Sequence, residues 1–385
     1  MMMKKETKTI LLVSMLNFLL WSSMSFLLPI EAIFLHTFVE SSTIKGLILS
    51  IPSLVLITLS PIFVKISEKY GRKKVMLILI LLSAPFFSIL PFSTSYQMYA
   101  FFKFLSSTLF LISPIILVYL SKIVKRLGVG YGSTILASSV GGSFGSLFSG
   151  MVGEFFGIKF SYILVSIFLF FSTLTLLPLE EIKNKIEKKT KIKKRLKFNF
   201  RTIDLILISV LINSFVFSLH FSARGLVWPL VVEKISDNPV LFTGIIFSLM
   251  GIVATVLAIP SGILAEKFGE KKLLFLGWFL MGIFGVSIYF STENLYLFSL
   301  LSILYSIGEV LKGPASSMIL AKYKKSIYFG YSTSFGSVGS IIGPALSGVL
   351  MDLFGTKLTV LSLGIIILLP LILISIGLFI KTRQK

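Results

Sequence analysis

Residues 64–74 read Val64-Lys65-Ile66-Ser67-Glu68-Lys69-Tyr70-Gly71-Arg72-Lys73-Lys74, and residues 262–272 read Gly262-Ile263-Leu264-Ala265-Glu266-Lys267-Phe268-Gly269-Glu270-Lys271-Lys272. An offset of 198 residues lays one stretch on the other. The same offset carries Gly141, Gly145, Gly150 and Gly157 onto Gly339, Gly343, Gly348 and Gly355, and Glu154 onto Asp352. Apolar composition aligns Leu and Ile by chance, but not charges and glycines in one order. The chain is therefore a duplication, and its fold is that of one half repeated.

Working outward, 55% of the 385 residues are hydrophobic and 14% are charged. A soluble domain carries about 25% charged residues, so this chain reads as a membrane protein. Apolar runs lie near 9–36, 43–64, 75–93, 97–121, 129–153 and 158–178, and again near 203–230, 240–264, 273–291, 295–320, 328–351 and 358–380. Each is about the ~20 residues a helix needs to cross the hydrocarbon. They are continuous, without the period-2 alternation of a membrane barrel. The expectation is an all-α integral membrane fold of twelve transmembrane helices in two pseudo-symmetric six-helix bundles, residues 1–178 and 203–385. The halves repeat in parallel, about an axis along the membrane normal, with a central site between them. The first run is too long for a signal peptide and lacks a small-residue cleavage site, so it is read as a retained helix.

The formal net charge is +21, which by itself suggests a polyanionic partner. Its distribution argues otherwise. Thirty Lys and Arg residues fall in the termini and alternate loops that share a side with the N-terminus. Four (Lys45, Lys159, Lys234, Lys357) fall on the other side, and Lys103, Arg224 and Lys312 fall within spans. The positive-inside rule places both termini in the cytoplasm, in a cell membrane crossed many times. The basic linker 179–202 is read as solvated chain held at anionic lipid, not as a nucleic-acid site. There are no cysteines and only His36 and His220, which excludes disulfides and thiolate metal sites and leaves little for a histidine metal site. No cofactor or metal is expected.

At the loop stretches the chain resembles the major facilitator superfamily of secondary transporters, whose motif between helices 2 and 3 runs roughly G-x-x-x-D-R-x-G-R-R-R. The matching residues are Glu68, Lys69, Gly71, Arg72 and Lys73, then Glu266, Lys267, Gly269 and Lys271. The first copy has Val64 for the first glycine, and both use Glu as the acid. The resemblance implies a loop that latches the two halves in one conformation; a plain basic turn is the alternative. The residues themselves call for a positive-φ turn at Gly71 and Gly269. Gly141-x-x-x-Gly145 and Gly339-x-x-x-Gly343 put small residues on one helix face, allowing close packing. Exporters of the family carry a proline in helix 5. Here Ser146 stands at that place, and the Gly-Pro pair is Gly343-Pro344 in the eleventh span.

Charges at bilayer depth are functional candidates by default. Glu309 in the tenth span lies ~20 Å from its outer end, and Lys312 three residues on shares a face. Gly308, Gly313 and Pro314 suggest a kink there. Two readings stand: Glu309 carries a coupling proton in a central cavity, or Glu309 and Lys312 form a self-neutralising structural pair. Lys103 either attracts an anionic substrate, pairs with Glu31 or, as the favoured reading, snorkels outward. Glu31 and Arg224 lie near the outer ends of the first and seventh spans, which the resemblance implies meet at an external gate; they are read as a pair that forms there or as two solvated interfacial charges. Asn17 and Trp21 in the first span, and Asn213 and His220 in the seventh, either line the cavity or bond between helices.

The expected function is secondary active transport of a small organic solute by alternating access, proton-coupled and directed outward, by a monomer. An uptake symporter for an anionic metabolite or sugar and a transporter-like receptor or scaffold are the alternatives. An enzyme would need a His, Asp or Ser cluster that the sequence does not contain.

Overall fold

The structure is a computed structural model that describes residues 2–123, 127–181, 205–322 and 327–383. The basic linker thus lies almost wholly outside the described residues. Among those described there are helices and no strands. They are α1 (Met2–Ser25), α2 (Leu27–His36), α3 (Ser42–Tyr70), α4 (Arg72–Ile89), α5 (Tyr96–Ser106), α6 (Ile112–Ile123), α7 (Leu127–Phe155) and α8 (Ile158–Leu176). The second half holds α9 (Leu205–Ile235), α10 (Pro239–Phe268), α11 (Glu270–Ser287), α12 (Leu295–Lys322) and α13 (Ile327–Arg383).

Among the described residues, eleven segments are long and apolar enough to cross a membrane. The last, Gly330–Ile376, has 47 residues and contains a non-helical residue, Gly355, at φ 79°. Two short interruptions fall inside other segments: α1 gives way to α2 at Phe26, and a 3-10 turn over Ser107–Leu111 joins α5 to α6. Helix is the only economical state here, because backbone N–H and C=O groups in hydrocarbon must pair within their own segment. Hydroxyls follow the same rule. Ser22 donates to Phe18 O at 2.7 Å and Ser50 to Gly46 O at 2.9 Å, one turn back.

The duplication is visible in the backbone. The positive-φ glycines are Gly71, Gly157, Gly269 and Gly355, two pairs at the sequence offset. Each ends one helix and starts the next in a turn where a Cβ would be strained. Two buried apolar clusters form, one from residues 13–179 with Val240 and one from 207–374 with Ala32. Large apolar side chains such as Phe101, Val256 and Ile259 point outward, as a lipid-facing surface requires.

Close helix approach repeats in both halves. A methyl group on Gly141 or Gly145 would collide with the Phe18 or Ser22 carbonyl of α1. One on Gly339 or Gly343 would collide with the Phe215 or Leu219 carbonyl of α9. The backbones touch because these positions have no side chain. α12 runs through Gly313 and Pro314 as one continuous helix.

Candidate functional site: a cavity between the halves

The first and second halves meet at the end of the molecule that carries Gly157 and Gly355. There Ser50 Oγ donates to Ile341 O at 2.7 Å, and His36 Nδ1 lies 2.8 Å from Glu233 Oε2. Gly46 packs on the Pro344 carbonyl, and Gly150 packs on Gly244. Asp352 accepts from the N–H groups of Ser42 (2.7 Å) and Thr43 (2.9 Å) and from the Ser41 and Thr43 hydroxyls. It thus caps the N-terminus of α3, where unpaired donors and the positive helix end favour a carboxylate. Glu154, its partner in the duplication, accepts from Leu241 N at the start of α10, at 3.3 Å.

Below this contact lies a cavity of about 480 Å³ whose wall draws on α1, α6, α7, α9, α10 and α12. Asn17, Trp21, Arg224 and Glu309 all line it. Arg224 Nη1 donates to Glu309 Oε2 at 3.2 Å, and Nη2 stands 2.9 Å from Oε1, off the hydrogen-bonding line. Glu309 therefore keeps an unbonded oxygen. The guanidinium also lies over the Phe221 and Tyr305 rings, 5.0 and 5.5 Å from their centroids, an arrangement that favours a desolvated cation. Asn17 Nδ2 donates to Val13 O, leaving its carbonyl oxygen for the cavity.

The structure chooses among the readings of these charges and corrects some of them. Glu31 and Arg224 do not pair; each finds its counter-charge within its own half. Glu31 Oε1 is 2.6 Å from Lys103 Nζ and accepts from the Tyr99 hydroxyl at 2.8 Å, and Tyr99 meets Tyr162 at 2.7 Å. Lys103 accordingly does not snorkel: it is 2% exposed, because a neutralised pair between α2 and α5 costs less than an unpaired charge in hydrocarbon. Glu309 and Lys312 do not neutralise each other, since the Arg224 fork reaches Glu309 first. Lys312 and Asn213 line a different cavity, between α3, α9, α12 and α13. His220 lines neither: it hydrogen-bonds Tyr305 at 2.9 Å and packs edge-on to Trp228.

The loop motif is anchored to its own half. Glu181 accepts from the N–H groups of Lys73 (3.2 Å) and Lys74 (3.0 Å), capping α4, and Lys73 Nζ donates to Leu177 O at 2.6 Å. Glu68 is 3.8 Å from Arg72, whose buried guanidinium makes no hydrogen bond. In the second copy Gly269 closes the turn and Lys267 lies over Phe268. Tyr99, Tyr162, Tyr305 and the His36–Glu233 contact left no mark in the sequence. The two acid caps did, as the aligned pair Glu154 and Asp352.

Known proteins agree with this architecture. Over 355 residues the chain is 25% identical to the multi-drug resistance efflux pump PmrA of Streptococcus pneumoniae serotype 4, covering 88% of each. It is 24% identical over 368 residues to multidrug resistance protein 2 of Bacillus subtilis, covering 90% of each. Its fold matches the nucleoside transporter NupG (TM-score 0.77, 13% identity, 96% of this chain and 99% of that one). It also matches a bacterial homologue of the human lysosomal transporter Spinster (TM-score 0.79, 11% identity, 96% of each chain). The family profile matches residues 10–223 and 210–385, so the chain is a multi-pass membrane transporter belonging to the Major Facilitator Superfamily.

Proposed function

We propose that this transporter exports a small organic solute by alternating access, driven by protons entering in exchange, and that it acts as a monomer in the plasma membrane. The 47-residue segment counts as two crossings, since at ~1.5 Å per residue it far exceeds the ~30 Å hydrocarbon core. That makes twelve spans, six each in residues 1–178 and 203–385. With thirty basic residues on the side of Gly71 and Gly269, that side is cytoplasmic and both termini with it.

The observation that carries the reading is the cavity between the halves, walled by Arg224 and Glu309 and sealed at the external end by contacts across the halves. Glu309 is the proton carrier in this account. Ionised, it is held by Arg224; protonated, it releases the guanidinium. Arg72, buried without a hydrogen bond in this conformation, is the residue of the loop motif that gains a partner when the cytoplasmic end closes. Outward direction follows the two bacterial relatives named for multidrug resistance.

Everted membrane vesicles with an imposed pH gradient, offered ethidium or 2-naphthalenesulfonate, test this. At least one probe should accumulate, and collapse of the gradient should abolish it. Glu309→Gln should lose gradient-driven accumulation yet retain probe exchange at equilibrium. Accumulation indifferent to the gradient, or unchanged in Glu309→Gln, contradicts the proposal.

A further inference from the structure

The second cavity, about 420 Å³, has a lining unlike the first. It contains no acidic residue, one lysine, one asparagine and nine hydroxyl side chains. Lys312, 6% exposed, has no carboxylate at ion-pair distance among the described residues. Its ammonium rests on the Phe217 ring, 3.2 Å from the centroid, and 5.4 Å from that of Trp278. Asn213, 1% exposed, has an amide Nδ2 without a hydrogen-bond partner. The hydroxyls of Ser53, Ser218, Ser316 and Ser340 likewise make no hydrogen bond within the described structure.

Burying an ammonium without a contacting carboxylate and an unpaired amide in the membrane is costly. Ring contacts offset part of the first cost and none of the second. The charges at bilayer depth in α9 and α12 have the same defect: Arg224 and Glu309 cancel, leaving Lys312 in excess. Each of these residues lines one space and carries a donor there or just behind its wall. The ligand that satisfies ammonium, amide and hydroxyl donors together is an oxyanion.

We infer that this cavity binds the anionic end of the transported solute, a carboxylate, sulfonate or phosphate monoester. Lys312 supplies the charge, and Asn213 and the serine hydroxyls supply hydrogen bonds. The inference rests on the transport reading above and narrows its substrate class. The site spans the halves, since Ser53 and Leu56 come from α3 and the rest from α9, α12 and α13. An anion bound there joins the halves, so binding favours the conformation described here.

The test is equilibrium binding to purified protein, read by melting temperature, with no gradient present. A failure of proton coupling therefore leaves this result intact, and a failure of anion recognition leaves the gradient test intact. The probes are 2-naphthalenesulfonate, 2-naphthyl phosphate and the neutral 2-naphthalenesulfonamide. Both anions should stabilise the wild type and bind about tenfold more tightly than the amide, the scale of one charge-assisted contact. Lys312→Met should abolish that preference and Lys312→Arg should restore most of it. Asn213→Ala, a milder change that leaves the charge in place, should weaken both anions about threefold. Equal stabilisation by the neutral amide, no stabilisation by either anion, or a preference that survives Lys312→Met would overturn the inference.

Discussion

Asp352 Oδ2 accepts from both the backbone N–H (2.9 Å) and the hydroxyl (2.7 Å) of Thr43, a residue 309 positions away in the other half. With the Ser41 and Ser42 contacts, one carboxylate of α13 satisfies the first turn of α3. Among the described residues this carboxylate, rather than a Glu31–Arg224 pair, makes the most hydrogen bonds across the closed end.

Asp352→Asn keeps the shape of the cap but removes its charge. The transporter should open more often at that end, by about tenfold if one charge-assisted contact is lost. Glu154→Gln should act in the same direction but less, because Glu154 makes a single 3.3 Å bond. Spin-label distances between positions 40 and 237 report the opening, with a larger long-distance population in Asp352→Asn than in Glu154→Gln.

Gly46 has no room for a side chain, since even a methyl group would strike the Pro344 carbonyl. Gly46→Leu should therefore prevent closure while leaving each half folded. The same label pair should show the long distance almost exclusively, and gradient-driven transport should fall by more than about tenfold.

The spans and the duplication were legible in the sequence because hydrocarbon enforces long apolar runs and because a repeated turn keeps its glycine. Pairings between charges were legible only in part: Glu31–Lys103 stood among three readings of Lys103, and Arg224–Glu309 was not foreseen. Around α2 nearly every face is apolar, so periodicity does not say which way Glu31 points; α12 carries a polar stripe through Ser302, Tyr305, Ser306, Glu309 and Lys312, but the stripe does not say which partner each charge meets. Glu31 follows the helix break at Phe26 and turns toward α5. Glu309 and Lys312, three residues apart, differ by about 60° around the axis, enough to face different cavities. Glu154 and Asp352 stood aligned in the repeat, but their capping role required knowing that α7 ends, and α13 breaks at Gly355, beside helix starts of the opposite half.

The buried Glu31–Lys103 pair should behave as structure within the first half. Glu31→Gln or Lys103→Met alone strands a buried charge and should cost about 3–5 kcal/mol. The double variant Glu31→Leu/Lys103→Met should recover most of it. Melting temperatures check this. Reversing Glu31 and Arg224 together should rescue nothing that either single reversal loses, as transport assays would show.

Alternating access requires that one cavity open to each side of the membrane in turn. The chain has no cysteine, and a side chain at Gly225 in the cavity wall would meet only Leu28, at 3.9 Å. Gly225→Cys therefore gives a single reporter, to be labelled by a membrane-impermeant maleimide in intact cells and in everted vesicles. Labelling should occur from both sides. Adding Gly46→Leu should raise the rate from outside the cell and lower it from the cytoplasmic face. Labelling from one side only, in both backgrounds, would contradict alternating access.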